Sequence, residues 1–152
     1  MKKISIYLDD VRTPVSDSWT LVRNYDEFVQ AVTAAGLENI DMISLDHDLG
    51  DTAMEEYYHN VSPNYTLDYN NIKEKTGLDC AKWLIDFYYS VEDSRDRSTK
   101  RKEGIFFPKV YTHSANPIGS ANIMGYINNF LMNEAQTQSC VRVRIEHTIV
   151  NN

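Results

Sequence analysis

ISLDHDLGD, residues Ile43–Asp51, runs from an apolar segment into three aspartates with a histidine among them. One aspartate after a strand can cap a helix. Three this close repel one another unless a cation or solvent offsets the charge. A second apolar run, KISIYLDD at Lys3–Asp10, ends in the pair Asp9-Asp10. If the two runs lie side by side as strands, their carboxylates converge on one point.

Working outward, Lys3–Leu8 and Met42–Leu45 read as strands, with a shorter candidate at Trp19–Arg23. VRTPVSDS, after the acidic pair, is a loop broken by Pro14. Asn24 is placed to cap the helix YDEFVQAVTAAG, whose Phe28, Val29 and Val32 share a face and whose Gly36 fits the stop. Leu78–Tyr89 predicts a helix with an apolar stripe of Ala81, Leu84, Ile85 and Tyr88. Ile105–Thr112 contains a strand interrupted by Pro108, and it leads into THSANP. Asn116 near the cap and Pro117 in the first turn open a last helix with Ile123, Met124, Ile127, Phe130 and Leu131 on its core face. Val141–Ile149 alternates apolar and charged residues, as a half-exposed final strand would.

Two stretches lack a clean period. Residues 51–76 are acidic, rich in Tyr and Asn, and carry Pro63. They read as a long inserted loop, a lid or wall beside a site, with Tyr57, Tyr58, Tyr65 and Tyr69 offering stacking faces. Residues 92–104 carry charges of both signs and read as a solvated loop. Strands alternating with helices imply one α/β domain over 1–152, a mostly parallel sheet with helices on both faces. Ligands of such sheets bind beyond the carboxyl ends of the strands. Three strand ends here are LDD, SLDHD and THSAN.

The chain has 152 residues and a formal net charge of −7. That size suits one domain with its own core. That charge excludes an extended nucleic-acid surface and binding to anionic membranes, but not a small phosphorylated ligand held through a metal. No apolar run is long enough to span a bilayer, and the start meets acidic residues too soon for a signal peptide, so a cytoplasmic protein is expected. The two cysteines, Cys80 and Cys140, have no motif spacing and read as free thiols. His59 and His147 read as solvent-exposed.

Several carboxylates facing one point suit a hard divalent cation, Mg²⁺ or Mn²⁺, which favours a few carboxylates together with water and phosphate oxygens. Asp10 and Asp46 are the first ligand candidates, then Asp9, with Asp48 a ligand or directly behind one. His47 and His113 titrate near neutrality and can move a proton in phosphoester cleavage. Imidazole also ligates Zn²⁺ or Mn²⁺. Ser114 offers a hydroxyl and Asn116 an amide to a phosphoryl oxygen. Arg12 offers a cation, though it reads equally as a solvated side chain.

With those motifs in place, the chain resembles the receiver domains of response regulators. An acidic pair ends the first strand, an aspartate ends the third (Asp46) and a Ser-Ala pair ends the fourth (Ser114-Ala115). The resemblance implies a flavodoxin-like, doubly wound, five-stranded sheet. It also implies Mg²⁺ held by the acidic pair and Asp46, with Asp46 at the phosphoryl-acceptor position and Ser114 at the hydroxyl position. The chain departs from that pattern in lacking a helix between its first two strands. It also lacks a Lys-Pro at the end of VRVRIEHTIV and a helix after it. The fuller set LDDVRTP, SLDHDLG, GLDCAKWL and HSANPIGSANIM is similar to the cyclic-phosphate-processing receiver family of bacteria and their viruses.

That resemblance implies a metal-dependent phosphoesterase acting on a cyclic or terminal phosphate of a nucleotide or RNA end. Asp46, His47 and His113 would carry the chemistry, and Ser114, Asn116 and Arg12 would hold phosphate oxygens. The alternatives are a phosphoacceptor switch without enzymatic activity and an interaction protein on a degenerate receiver fold.

Overall fold

The computed structural model describes residues 2–94 and 106–137. The strand expected over Val141–Ile149, with Cys140 and His147, and most of the charged loop at 92–104 lie outside the described residues.

Four strands, β1 (Ile4–Leu8), β2 (Trp19–Val22), β3 (Ile40–Leu45) and β4 (Lys109–Thr112), form an all-parallel sheet in the order β2-β1-β3-β4. This is a receiver-like, flavodoxin-like arrangement; of the five strands expected, four are seen among the described residues. Side chains alternate between faces along a strand. The register therefore sets Ile6, Ile43 and Val110 in one row, and Leu8, Leu45 and Thr112 in a row on the same face. That face is covered by α1 (Tyr25–Ala35), α4 (Gly77–Ser94) and α5 (Pro117–Thr137). Phe28, Val32, Leu84, Ile123, Ile127 and Leu131 complete the core there. Each such side chain, fully buried, contributes roughly 1.5–3 kcal/mol.

Helices were expected on both faces, and these three lie on one. The reason is handedness. The connections β2→β3 and β3→β4 run the same way across the sheet, so right-handed crossovers put both helices on the same side. The connection β1→β2 runs the other way, and it is the one without a helix. On the opposite face Tyr7, Trp19, Leu21, Met42 and Tyr111 are half-buried among the described residues.

The predicted caps form. Asn24 Oδ1 accepts the N–H of Glu27, and Gly36 ends α1 at a φ of 81°. Asn116 Oδ1 accepts the N–H of Gly119 ahead of α5. The stripe Ala81, Leu84, Ile85 and Tyr88 is buried, as is the free thiol Cys80. His59 is exposed.

The stretch 51–76 differs from the expected loop. Asp51–Asn64 is continuously helical: α2 (Asp51–Glu56), a π turn at Tyr57–Val61, and the single turn α3 (Ser62–Asn64). The π turn carries the bond from Ser62 N–H to the Tyr57 carbonyl and hands over to Pro63, which has no N–H to satisfy. Tyr65 then takes a left-handed conformation, φ 56°, and closes the helix. Its interior anchor is an acid. Buried Glu56 accepts from Asn60 Nδ2, Asn71 Nδ2 and the Asp68 N–H. No described helix is long and apolar enough to cross a membrane.

Candidate functional site

The strand ladders continue one residue past the strands. The N–H groups of Asp9, Asp46 and His113 donate to the carbonyls of Val22, Leu8 and Leu45. These bonds set Asp9, Asp46 and His113 in one row at the carboxyl edge, the convergence expected from the sequence. Ligand oxygens of Asp9, Asp10 and Asp46 lie within 4.8 Å of one another.

Asp9 is fully buried and heavily bonded. Its Oδ1 accepts the N–H groups of Val11 (3.0 Å) and Arg12 (2.7 Å). Its Oδ2 accepts Arg12 Nε (2.8 Å) and His113 Nε2 (3.1 Å). Burial alone would raise its pKa; the amides of Arg12 and Val11, the Arg12 charge and the His113 bond outweigh it and hold the carboxyl below its ordinary value.

Asp46 is buried with less compensation. It accepts the His47 N–H at 2.8 Å, and Arg12 Nη2 stands 3.6 Å from Oδ2. Burial and then the Asp9 charge push its pKa up to about 6, against opposing contributions from the Ser114 hydroxyl, Arg12 and the His47 amide. Asp10 is half-buried, and its pKa is raised by burial and by the Asp9 charge. Three converging carboxylates, two of them raised by burial and then by the charge of the third, make a hard-oxygen donor set that fits a divalent cation of the Mg²⁺ or Mn²⁺ kind.

Two members of the cluster, Asp10 and Asp46, line a cavity of about 300 Å³, with Asp9 buried outside it. Asp10, Asp46 and Asp48 meet Ser114, Ala115 and Arg12 there, opposite an apolar wall of Val11, Met54, Tyr57 and Tyr58. Met54, Tyr57 and Tyr58 come from the helical stretch 51–64, so the segment expected as a lid or wall stands beside the cavity as a helical wall. Of the tyrosines expected to offer stacking faces, Tyr57 and Tyr58 reach this cavity. Tyr65 is exposed, and Tyr69 stands behind His47.

The two histidines are placed otherwise than expected. Alternation past the strand end sends Asp46 and Asp48 to the cavity and His47 to the interior. The His47 ring is fully buried, with Nδ1–H donating to Asp48 Oδ1 at 2.6 Å and Nε2 meeting the Tyr69 hydroxyl at 2.9 Å. The Tyr69 oxygen in turn accepts Asn122 Nδ2. A carboxylate only accepts, so in the neutral ring Nε2 takes the tyrosine proton, and every group in the line is satisfied. His113 also lies outside the cavity lining. It stacks on Tyr7 at 4.1 Å and bridges Ser44 Oγ (2.8 Å) and Asp9. Burial lowers its pKa, against the opposing pull of Asp9. Direct proton transfer by either ring has no geometric support here, because both nitrogens of each are committed to protein partners.

Asn116 caps α5 and donates Nδ2 to Asp48 at 3.2 Å, so it holds a carboxylate rather than facing the cavity. Arg12, 49% exposed in its side chain, spans Asp9, Asp46 and the His113 carbonyl. Two glycines inside the quoted motifs owe their place to close approach. A Cβ on Gly77 would stand 2.0 Å from the Asp46 carbonyl oxygen, and one on Gly119 would stand 2.3 Å from the His47 ring. Sequence reading missed Met54 in the cavity wall, for which no signal exists. It also missed the pair Tyr7 and Ser44 around His113, which strand alternation from Asp9 and Asp46 would have revealed.

A family model for the cyclic-phosphate processing receiver domain matches residues 4–129. No curated protein and no solved structure gives a significant match. The match spans both acidic strand ends, the stretch 51–64 and most of α5, so the chain belongs to the cyclic-phosphate processing receiver domain family.

Proposed function

We propose, from membership in that family and from the site, that the protein is a metal-dependent phosphoesterase acting on a cyclic or terminal phosphate of a nucleotide or RNA end. The observation that carries this reading is the cavity itself, with Asp10 and Asp46 of the 4.8 Å carboxylate cluster on its floor beside Asp48, and two tyrosines on its wall. An acidic floor alone would bind only a cation. An aromatic wall beside it gives a nucleobase a face on which to stack, worth on the order of 1–3 kcal/mol per base.

Asp10 and Asp46 would hold the cation, with Asp9 fixed directly behind them by Arg12, His113 and two backbone amides. When bound, the cation supplies positive charge to the phosphate oxygens. The chain's own groups do the rest. Arg12 and Ser114 face the space where those oxygens would sit. Asp48 reaches the cavity, and His47 and Asn116 fix its carboxylate from behind. In this reading Asp48 would take a proton from the attacking water as the phosphorus–oxygen bond of the ring opens, and the released sugar oxygen would take its proton from solvent.

The test is hydrolysis of 2′,3′-cyclic nucleotides and phosphate-ended RNA with Mg²⁺ or Mn²⁺. Turnover is expected in wild type and a loss of about 10²–10⁴-fold in Asp48→Asn, the span of a general acid or base. Absence of turnover on every phosphoester would end the reading. A phosphoacceptor switch is the second reading, favoured by Ser114 and Arg12 around Asp46. Under it, Asp46 takes a label from acetyl phosphate and no phosphoester is turned over. Neither label nor turnover would leave an interaction protein.

A further inference from the structure

On the far side of the His47 ring lies a second cavity, of about 380 Å³, lined by Tyr69, Lys73, Glu74, Lys75, Thr76, Asp79 and their neighbours through Lys82. Three lysines around one cavity are unusual in a chain whose formal charge is −7. None of the three has a carboxylate within ion-pair distance among the described residues. Lys75 and Lys82 stand over the rings of Tyr25 and Tyr126 instead.

The two acids there are already occupied. Glu74 accepts from the Thr52 hydroxyl and the Ala53 N–H, and bonding holds its pKa down against burial. Asp79 accepts the N–H and hydroxyl of Thr76. The first turn of α4, an 18-residue helix, borders the same space, with Asp79 in that turn already offsetting the positive end of its dipole. The three lysines outnumber the two carboxylates in this concavity, and that excess of positive charge beside a tyrosine face suits an anion of phosphate chemistry. Two hydrogen bonds and one imidazole ring separate the two cavities: Asp48 lines the first, Tyr69 lines the second, and His47 joins them.

We propose that this second cavity is an anion subsite for the phosphodiester next to the reacting phosphate, so that the preferred substrate is an oligoribonucleotide end rather than a mononucleotide. The proposal rests on the phosphoesterase reading for its substrate but not for its binding. All three lysines are exposed, so replacing them leaves the core intact.

The experiment is a titration of the full chain, by calorimetry with Mg²⁺ present, with adenosine 2′,3′-cyclic phosphate and with the dinucleotide ApA ending in the same cyclic phosphate. The dinucleotide is expected to bind several-fold tighter, and added salt should remove the advantage. The double variant Lys73→Glu/Lys82→Glu should abolish the advantage and leave mononucleotide affinity unchanged. Lys2→Glu, at the opposite end of β1, should leave both affinities alone and so controls for net charge. A dinucleotide advantage that never appears, or that survives the double variant, overturns the subsite. Lysine-dependent binding without hydrolysis of either ligand would uphold the subsite and sink the phosphoesterase reading instead.

Discussion

Asp9 and Asp46 stand side by side at the ends of neighbouring strands, and both are buried, yet their surroundings drive them in opposite directions. Asp9 receives four donors, two from the backbone and two from side chains, and its pKa falls. Asp46 receives the His47 amide and the Ser114 hydroxyl, faces the Asp9 charge, and rises to about 6. Burial raises both, so the donors and the Arg12 charge on Asp9, and the Asp9 charge felt by Asp46, together set the opposite signs. One carboxylate is a finished structural joint. Its neighbour is left short of positive charge, as the proposed role of cation ligand requires.

The largest effect that can break this contrast is Asp9→Ala. It leaves His113 and two part-buried amides without an acceptor at once, at about 1–3 kcal/mol for a buried unsatisfied group, while the half-exposed Arg12 can turn to water. Chemical denaturation without metal should show that loss; a cost below about 1 kcal/mol would mean Asp9 is no joint.

Asp46→Asn should do the reverse. The rise of its pKa from 3.8 to about 6 means the ionised side chain opposes folding by on the order of 3 kcal/mol near pH 7. A carboxyl whose folded pKa is raised binds its proton more tightly when folded. The wild type therefore recovers this stability as pH falls from about 6 towards 3.8. The variant's higher melting temperature should accordingly be full above pH 6 and fade below it. Added Mg²⁺ should also shrink the gain, since it stabilises only the folded wild type. A lower melting temperature for the variant at pH 7 without metal would contradict the account of Asp46.

Tyr69→Phe extends the comparison to Asp48, the third carboxylate of the edge. It leaves His47 Nε2 buried without its partner, at a cost of about 1–3 kcal/mol. Metal affinity should hold while turnover falls, because Asp10 and Asp46 are untouched; calorimetry beside kinetics separates the two. Smallest is Arg12→Ala. Its side chain is about half exposed, so the stability change should stay within about 1 kcal/mol. Its charge lowers the pKa of both Asp9 and Asp46. Carboxyl titration by NMR should show both rising, with Asp46 still far above Asp9.

The acidic edge was legible because Asp9-Asp10 and Asp46 each end an apolar run, and parallel strands of similar register must bring such ends together. The caps at Asn24, Gly36 and Asn116 were legible for the same local reason. The helix at 51–64 was not. Its buried residues, Ala53, Glu56 and Val61, form no apolar stripe, and the π turn shifts the period just before Pro63. An acidic residue as an interior anchor reads as a loop in sequence. The inward turn of His47 was within reach, since a period of two past Asp46 places it opposite Asp48. The pull of chemistry on a histidine between two aspartates outweighed that geometry. The one-sided helix layer was likewise implicit in the missing helix between β1 and β2.

That missing helix also orders events in time. β1 and β2 are joined by residues 9–18 alone, whereas β3 and β4 are separated by residues 46–108. Closing the shorter connection costs less chain entropy, and local contacts form sooner. Within the connection, Arg23 ties back to the carbonyls of Asp9 and Arg12, and Asp9 holds the Val11 and Arg12 amides. The β1–β2 pair is thus the part of the sheet best suited to form first, carrying a preset Asp9. In that order β3 would then bring Asp46 beside Asp9, whose charge raises its pKa, and β4 would bring Ser114 last. Folding in the presence of Mg²⁺ should therefore accelerate at the step where β3 docks, the first moment at which the two proposed ligands, Asp10 and Asp46, stand together.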